Sequence, residues 1–189
     1  MKDFSGGDES NDFLKKKGFN IIDKEIVFQK RISEINSQNL HEYFLILDKI
    51  IQKLNIKESD TRVVFSIRNN RLSFQLNNRY ILTIEKTGNI GFISPDIEEL
   101  SDYKSDKFAS GNIYYKTKDI NIIKKNINEI FSASKQEYNA VDVVFTKHDN
   151  ALFRKAVFNK KFREKIIEKH STNYWIFQGN PKVFDVIKY

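Results

Sequence analysis

Residues 62–94 read RVVFSIRNNRLSFQLNNRYILTIEKTGNIGFIS and carry the pattern of a β-sheet. Apolar and polar side chains alternate over Val63–Arg68 and again over Arg71–Leu76, and Asn69–Asn70 separates the two runs. Alternation with a period of two is typical of a strand with one buried face, and an Asn pair tolerates the positive φ of a tight turn. The two runs therefore predict a β-hairpin.

Two more alternating runs follow the predicted hairpin. We expect residues 77–79 to form a three-residue loop, because a two-residue loop would place Leu76 opposite Arg79. The longer loop keeps Tyr80 on the apolar face of the next strand. After a Thr-Gly-Asn turn the pattern resumes, so residues 62–94 are predicted to form a four-stranded antiparallel meander with one apolar face and one largely polar face.

Helical periodicity surrounds the predicted sheet. Between residues 39 and 57 apolar side chains recur at spacings of three and four, as in an amphipathic helix. Further helices are predicted at about 21–35, 119–131, 134–148 and 150–170, the last bent near Asn159, with one more strand at about 112–116. We therefore expect residues 1–170 to form one α+β domain, an antiparallel meander with helices packed on one face. Residues 171–189 are predicted to be a final strand or the start of a truncated second domain.

Several classes of chemistry are excluded by composition. The 189-residue chain has no cysteine, which removes disulfides, thiolate metal sites and cysteine nucleophiles. Its seven glycines form neither a P-loop nor a GxGxxG motif, and its three histidines are scattered, so neither a nucleotide cradle nor a zinc site is expected. No apolar run approaches the roughly 18 residues of a membrane span. We expect a cytoplasmic protein with no membrane contact, no cofactor, no metal and no catalytic residue.

One short acidic segment resembles the letters of a metal-dependent nuclease site. Asp96 precedes Asp102–Lys104, and such sites use carboxylates to hold a divalent ion and a lysine to position the attacking water. The spacing is too short for two neighbouring strands, which favours a solvent-exposed loop. An unrecognised metal-dependent nuclease stays open as a second alternative.

The net charge of +7 is unevenly distributed along the chain. Residues 1–100 hold 15 basic and 15 acidic side chains, so the whole surplus belongs to residues 101–189. It is densest at residues 147–170, where eight basic side chains face three acidic ones. Basic helices attract the phosphate backbone of nucleic acids. The predicted contacts in this segment are Lys155, Lys160, Lys161, Arg163 and Lys165.

A second basic focus lies in the neutral half of the chain. Between Asp60 and Glu85 there is no acidic residue, yet four of the seven arginines occur there. Strand alternation places Arg68 beside Arg71 across the hairpin turn. The planar fork of arginine suits phosphate groups and base edges. The predicted contacts on this polar face are Arg68, Arg71, Arg79, Ser73 and Gln75. An ordinary solvated sheet face is the alternative interpretation.

The segment NYWIFQGNPK at residues 173–182 resembles the opening strand of EVE domains. These PUA-like folds occur in bacterial McrB-type modification-dependent restriction proteins, where such a domain recognises a modified base in DNA. An EVE domain is much longer than the residues that follow position 173, so no binding residue is carried over. The resemblance implies that the chain is the N-terminal portion of a larger DNA-targeting protein.

The charge distribution and this resemblance lead to one main hypothesis. The chain is predicted to be a non-catalytic DNA-binding or specificity module of a bacterial restriction or defence system, working with further domains or subunits of a restriction complex. The first alternative is a protein-interaction or scaffold domain whose basic helix meets an acidic partner.

Overall fold

The antiparallel sheet predicted from residues 62–94 is present in a computed structural model that describes residues 24–68, 70–76, 79–140 and 149–168. Its strands are β1 (Val63–Arg68), β2 (Arg71–Leu76), β3 (Arg79–Glu85), β4 (Ile90–Ser94), β5 (Lys104–Lys107) and β6 (Ile113–Thr117). All pairings are antiparallel, in the order β1-β2-β3-β4-β6-β5. The four-stranded meander and the further strand β6 are confirmed. Strand β5 was not predicted, because its Lys-Ser-Asp-Lys sequence is entirely exposed and has no apolar alternation.

The register of β2 and β3 corrects one prediction. Leu76 pairs directly with Arg79, so the predicted three-residue loop at 77–79 is wrong. Without compensation, this register would turn every later side chain of β3 to the wrong face, because side chains alternate with a period of two.

A β-bulge supplies the compensation. Phe74 pairs with Leu82, whereas the next residue, Gln75, pairs with Tyr80, so β3 holds one extra residue at this point. The bulge returns Leu82 to the apolar face and leaves Tyr80 on the polar face beside Gln75. The prediction that Tyr80 lies on the apolar face is therefore wrong, and this places a tyrosine among the polar side chains.

Helices follow and precede the sheet as expected for an α+β fold. They are α1 (Lys24–Ser33), α2 (Ser37–Lys53), a 3-10 helix (Glu98–Tyr103), α3 (Ile120–Lys125), α4 (Ile127–Asn139), α5 (Ala151–Phe158) and α6 (160–168). The predicted break at Asn159 is confirmed. The two helices predicted at 119–131 and 134–148 do not separate between residues 131 and 134. The helix break lies earlier, at Asn126. Residues 141–148 and 169–189, including the predicted final strand and the EVE-like segment, lie outside the described residues.

The helices pack on the apolar face of the sheet, as predicted. Phe65 of β1 stacks on Phe74 of β2, with ring centroids 5.4 Å apart. Phe153 of α5 lies edge-on against Phe65 at 5.5 Å and also contacts Phe28 of α1 and Phe44 of α2. One phenylalanine therefore joins three helices to the sheet, and burying its side chain contributes roughly 2 to 3 kcal/mol.

Residues at the start of α5 cover the outer edge of β1. The backbone N–H of Asn150 donates to the carbonyl of Phe65 at 2.7 Å, and the N–H of Phe65 donates to the Asp149 carboxylate at 2.8 Å. The Arg154 guanidinium donates to the carbonyl of Val63 at 2.7 Å. An uncovered edge would offer these backbone groups to another chain.

Asp60 gives the fold a specific dependence on pH. The side-chain hydrogen bonds from Arg62, reinforced by Tyr138, outweigh the effect of burial and lower the pKa of Asp60 to about 2. Because the folded pKa lies below the ordinary value of 3.8, ionised Asp60 stabilises the protein above pH 4, by about 2 kcal/mol, and this contribution is lost as the pH falls toward 2.

We expect the effect of Asp60→Asn to depend on pH accordingly. The loss of unfolding free energy relative to wild type, measured by urea denaturation, should shrink by about half between pH 6 and pH 3. A loss that stays constant over this range would show that the charge of Asp60 does not matter and that packing alone accounts for the variant.

Candidate nucleic-acid interface

The face of the sheet opposite the described helices, here called the polar face, is a continuous array of polar and aromatic side chains. By register its polar and aromatic members are Ser66, Arg68, Arg71, Ser73, Gln75, Tyr80, Thr83, Glu85, Tyr114 and Lys116, and the buried Val64 and Ile93 share the face with them. The small side chains among them are buried, whereas Arg68 is exposed and Arg71, Tyr80 and Lys116 are half-buried. Arg68, Arg71, Tyr80 and Lys116 therefore form the accessible part of this face, whereas Tyr114 is buried.

Three polar side chains of β1 and β2 hold one another in place. The hydroxyls of Ser66 and Ser73 are 3.1 Å apart, and the amide nitrogen of Gln75 donates to Ser66. This orientation leaves the Gln75 carbonyl oxygen without a hydrogen-bond donor among the described residues. The amide group of Gln75, which is 8% exposed, is therefore fixed in orientation.

Tyr114 lies across the middle of the polar face. Its hydroxyl is 2.6 Å from Thr83 Oγ1, and its ring passes over Gly91, where a side chain would collide with it. Burial raises the pKa of Tyr114 to about 12, so the phenol stays neutral. A glycine within a strand often marks such a close approach.

Arg71 has an unusual environment for an arginine. Its guanidinium carbon lies 4.2 Å from the centre of the Tyr80 ring, and its Nε is buried with no hydrogen-bond acceptor among the described residues. Glu85 is the residue paired with Arg71 in the strand register, but its carboxylate is bound by Lys116 at 3.1 Å. The guanidinium is thus stacked on a ring and not neutralised by an acid.

Glu85 itself stays ionised although it is buried. Burial opposes ionisation, but hydrogen bonds from Lys116, Asn89 and Thr87 outweigh it and hold the pKa of Glu85 below its ordinary value. Lys116 offsets this negative charge on the polar face. Glu85 therefore repels an anion near Arg71 only weakly, because Lys116 offsets its negative charge.

The seven arginines fall into two groups, and all seven lie within the described residues. Five form ion pairs: Arg31 with Glu34, Arg62 with Asp60, Arg79 with Glu137, Arg154 with Asp149, and Arg163 with Asp48. Among the residues that the structure describes, Arg68 and Arg71 have no carboxylate partner. These two are direct cross-strand partners, as predicted. Like charges placed opposite each other destabilise a sheet, which makes the arrangement costly without an anion.

The structure brings together four of the predicted contacts on the sheet and separates the fifth. Arg68, Arg71, Ser73 and Gln75 share the polar face. Arg79 pairs with Leu76 in the register and therefore lies on the apolar face, where it binds Glu137 and contacts the Phe108 ring. Its guanidinium does not belong to the polar face.

The predicted contacts in the basic segment also divide. Lys155, Lys160, Lys161 and Lys165 are exposed on α5 and α6. Arg163 is buried, binds both carboxylate oxygens of Asp48 of α2 at 2.8 and 2.7 Å, and lies over Phe44. Because α5 and α6 belong to the helical layer, the four lysines and the polar face are on opposite sides of the sheet.

The aromatic members of the polar face were missed by sequence reasoning. Tyr80 was assigned to the apolar face, because nothing in the local pattern predicts the bulge. Tyr114 faces away from Ile113 and Tyr115, as alternation in the predicted strand at 112–116 requires, but it is not among the predicted contacts. Gly91 within a strand was the signal that could have indicated a ring lying across the sheet.

The acidic segment that resembled a nuclease site forms an ordinary surface ion pair. Lys104 Nζ is 2.6 Å from Asp96 Oδ1, and Asp102 is exposed. In the described ranges, no three His, Asp or Glu side chains form a group that could hold a metal ion. Within the same part of the chain, no helix is both long and apolar enough to cross a lipid bilayer.

Comparison of the chain with protein-family models, with curated proteins and with solved structures finds no match.

Proposed function

We propose that this chain is a non-catalytic DNA-binding module and that the polar face is the contact surface, with Arg68 and Arg71, at the turn end of the β1–β2 hairpin, as its main contacts. The observation that carries the proposal is the pairing of the arginines. Five of the seven bind carboxylates within the fold, and the two that have no carboxylate partner among the described residues lie side by side.

Phosphate groups complement this pair for two physical reasons. Two adjacent guanidinium groups repel each other, and an anion between them converts the repulsion into attraction. Each guanidinium also presents planar donors that match phosphate oxygens in a two-point contact. Ser73 and Gln75 lie in the same strand and supply neutral hydrogen-bonding groups beside the pair.

The wider context of this proposal is a bacterial restriction or defence system. It is supported by the EVE-like sequence at residues 173–182, which lies outside the described residues. In this proposal the module delivers or stabilises DNA for further domains or subunits, and it performs no chemistry of its own.

The exposed lysines of α5 and α6 have a secondary role in this proposal. They lie across the sheet from Arg71, so a straight segment of DNA on the polar face does not reach them. Their contribution is long-range attraction, which salt screens over about 8 to 10 Å.

A pair of charge-matched double variants tests the assignment. Arg68→Ala/Arg71→Ala should weaken duplex DNA binding at least about tenfold and reduce the slope of log affinity against log salt by about 2, since each lost phosphate contact removes about 0.9. Lys160→Ala/Lys161→Ala removes the same net charge and should weaken binding by less than about threefold. The measurement is fluorescence anisotropy between about 50 and 200 mM salt.

The two variants can return other outcomes. Equal losses would mean that binding follows net charge and not the polar face. A larger loss from the lysine variant would move the interface to the helical layer and overturn the assignment.

A scaffold function is favoured by a different observation, the cluster of four exposed lysines on α5 and α6. Such a surface suits an acidic protein partner. Absence of DNA binding at low salt, together with a mass in light scattering that rises with concentration, would support this function in place of DNA binding.

A further inference from the structure

The Arg71–Tyr80 stack is more elaborate than phosphate binding requires. A phosphate needs only the donor edge of a guanidinium, yet the Arg71 guanidinium also lies over the Tyr80 ring, with its carbon 4.2 Å from the ring centre. From this geometry we infer that the polar face receives an unpaired nucleobase, which stacks on the Arg71–Tyr80 pair. The inference rests on the proposed function and specifies the form of nucleic acid that binds.

The β-bulge is the first support for this inference. The bulged register places Tyr80 on the polar face and Arg79 on the apolar face, while Leu82 and Ile84 keep their place in the core. Bulges often redirect one side chain next to a functional site. Here the redirected side chain is the ring that underlies Arg71.

A supporting ring contact extends from Tyr80 across the polar face. The ring centroids of Tyr80 and Tyr114 are 6.3 Å apart. Tyr114 is fixed by Thr83 and by the space above Gly91. Tyr80 is therefore held by a neighbouring ring and presents Arg71 in a constant orientation.

Only a nucleic acid with unpaired bases has base faces that are free to stack on Arg71. In a duplex the faces of the bases are covered by their neighbours, and only phosphates and groove edges reach a flat protein surface. In a single strand the faces are free, and they stack on aromatic rings and on guanidinium planes. Arg71 then supplies a plane for the base.

The experiment compares forms of nucleic acid on the full chain. Anisotropy is measured with a 12-nucleotide dT strand, a 12-nucleotide rU strand and a 12-base-pair duplex at one salt concentration. Wild type should bind one or both strands at least about tenfold more tightly than the duplex. The comparison of dT with rU shows whether the unpaired base comes from DNA or RNA.

Substitutions of Tyr80 test the ring itself. Tyr80→Leu should weaken single-strand binding by about five- to a hundredfold. It should weaken duplex binding by a smaller factor, because the phosphate contact of Arg68 does not depend on the ring. Tyr80→Phe keeps the ring and should retain single-strand binding within about twofold, and urea denaturation of each variant checks that the fold is intact. A Tyr80→Leu variant that weakens neither form, or both equally, would overturn the inference.

Failure of the inference and failure of the proposed function are distinguishable. If duplex binds in an Arg68- and Arg71-dependent manner and Tyr80→Leu has no selective effect, only the stacking inference fails. If wild type binds neither strands nor duplex at low salt, the DNA-binding function fails with it.

Discussion

Arg154→Ala should lower the free energy of unfolding by about 3 to 5 kcal/mol, because it breaks a largely buried ion pair and removes several hydrogen bonds. The Arg154 side chain is 13% exposed and donates to both carboxylate oxygens of Asp149. It also donates to the backbone carbonyls of Glu58, Asp60 and Val63 at 2.8, 3.1 and 2.7 Å. Its loss leaves a carboxylate and three carbonyls without this donor.

Urea denaturation followed by circular dichroism measures this loss. Arg154→Lys should recover less than half of it, because a single ammonium group does not reach all the acceptors of a guanidinium at once. Lys124→Ala is the matched control, since it removes a cation whose side chain is 50% exposed and should cost less than about 1 kcal/mol. If Arg154→Ala costs no more than the control, the covered edge of β1 contributes little to stability.

Gly91→Ala should destabilise the protein by about 2 to 4 kcal/mol, through overpacking and loss of a buried hydrogen bond. An added Cβ would lie closer than 3.0 Å to the Tyr114 hydroxyl and to Thr83 Oγ1. Since Tyr114 is 2% exposed, its ring has no free space into which it can move. The variant therefore forces the ring off the polar face and separates it from Thr83.

A double-mutant cycle tests this collision. Tyr114→Ala removes the ring, so the added methyl of Gly91→Ala should then cost much less, and the two substitutions should couple by at least about 1 kcal/mol. Urea denaturation of the four proteins gives the coupling energy. Strictly additive losses would show that the cost of Gly91→Ala comes from the strand backbone and not from Tyr114.

The sequence predicts that Arg68 and Arg71 are neighbours, but it does not predict that Tyr80 lies beneath Arg71. Arg68 and Arg71 are predicted as neighbours by strand alternation and an Asn-Asn turn, and both signals are local. Tyr80 faces the polar side only because a bulge interrupts the alternation, and no residue type in β3 indicates that interruption. The sequence therefore predicted the two arginines of the site but not the tyrosine ring that Arg71 contacts.

Arg79 and Arg163 were predicted as DNA contacts because the sequence does not reveal ion pairs between residues that are far apart in the chain. Their carboxylate partners, Glu137 and Asp48, are 58 and 115 positions away in the chain. An arginine in an acid-free stretch of sequence can thus be neutralised by an acid that is remote in the chain and adjacent in the fold.

By itself the sequence determined the antiparallel meander, its apolar and polar faces and the adjacency of Arg68 and Arg71, because alternation and turn residues act between neighbours in the chain. Only the tertiary structure decided which arginines remain without an acid and which ring lies beneath Arg71. Ion pairing and the bulge depend on how separate elements pack, and that packing brings together residues whose spacing in the chain carries no signal.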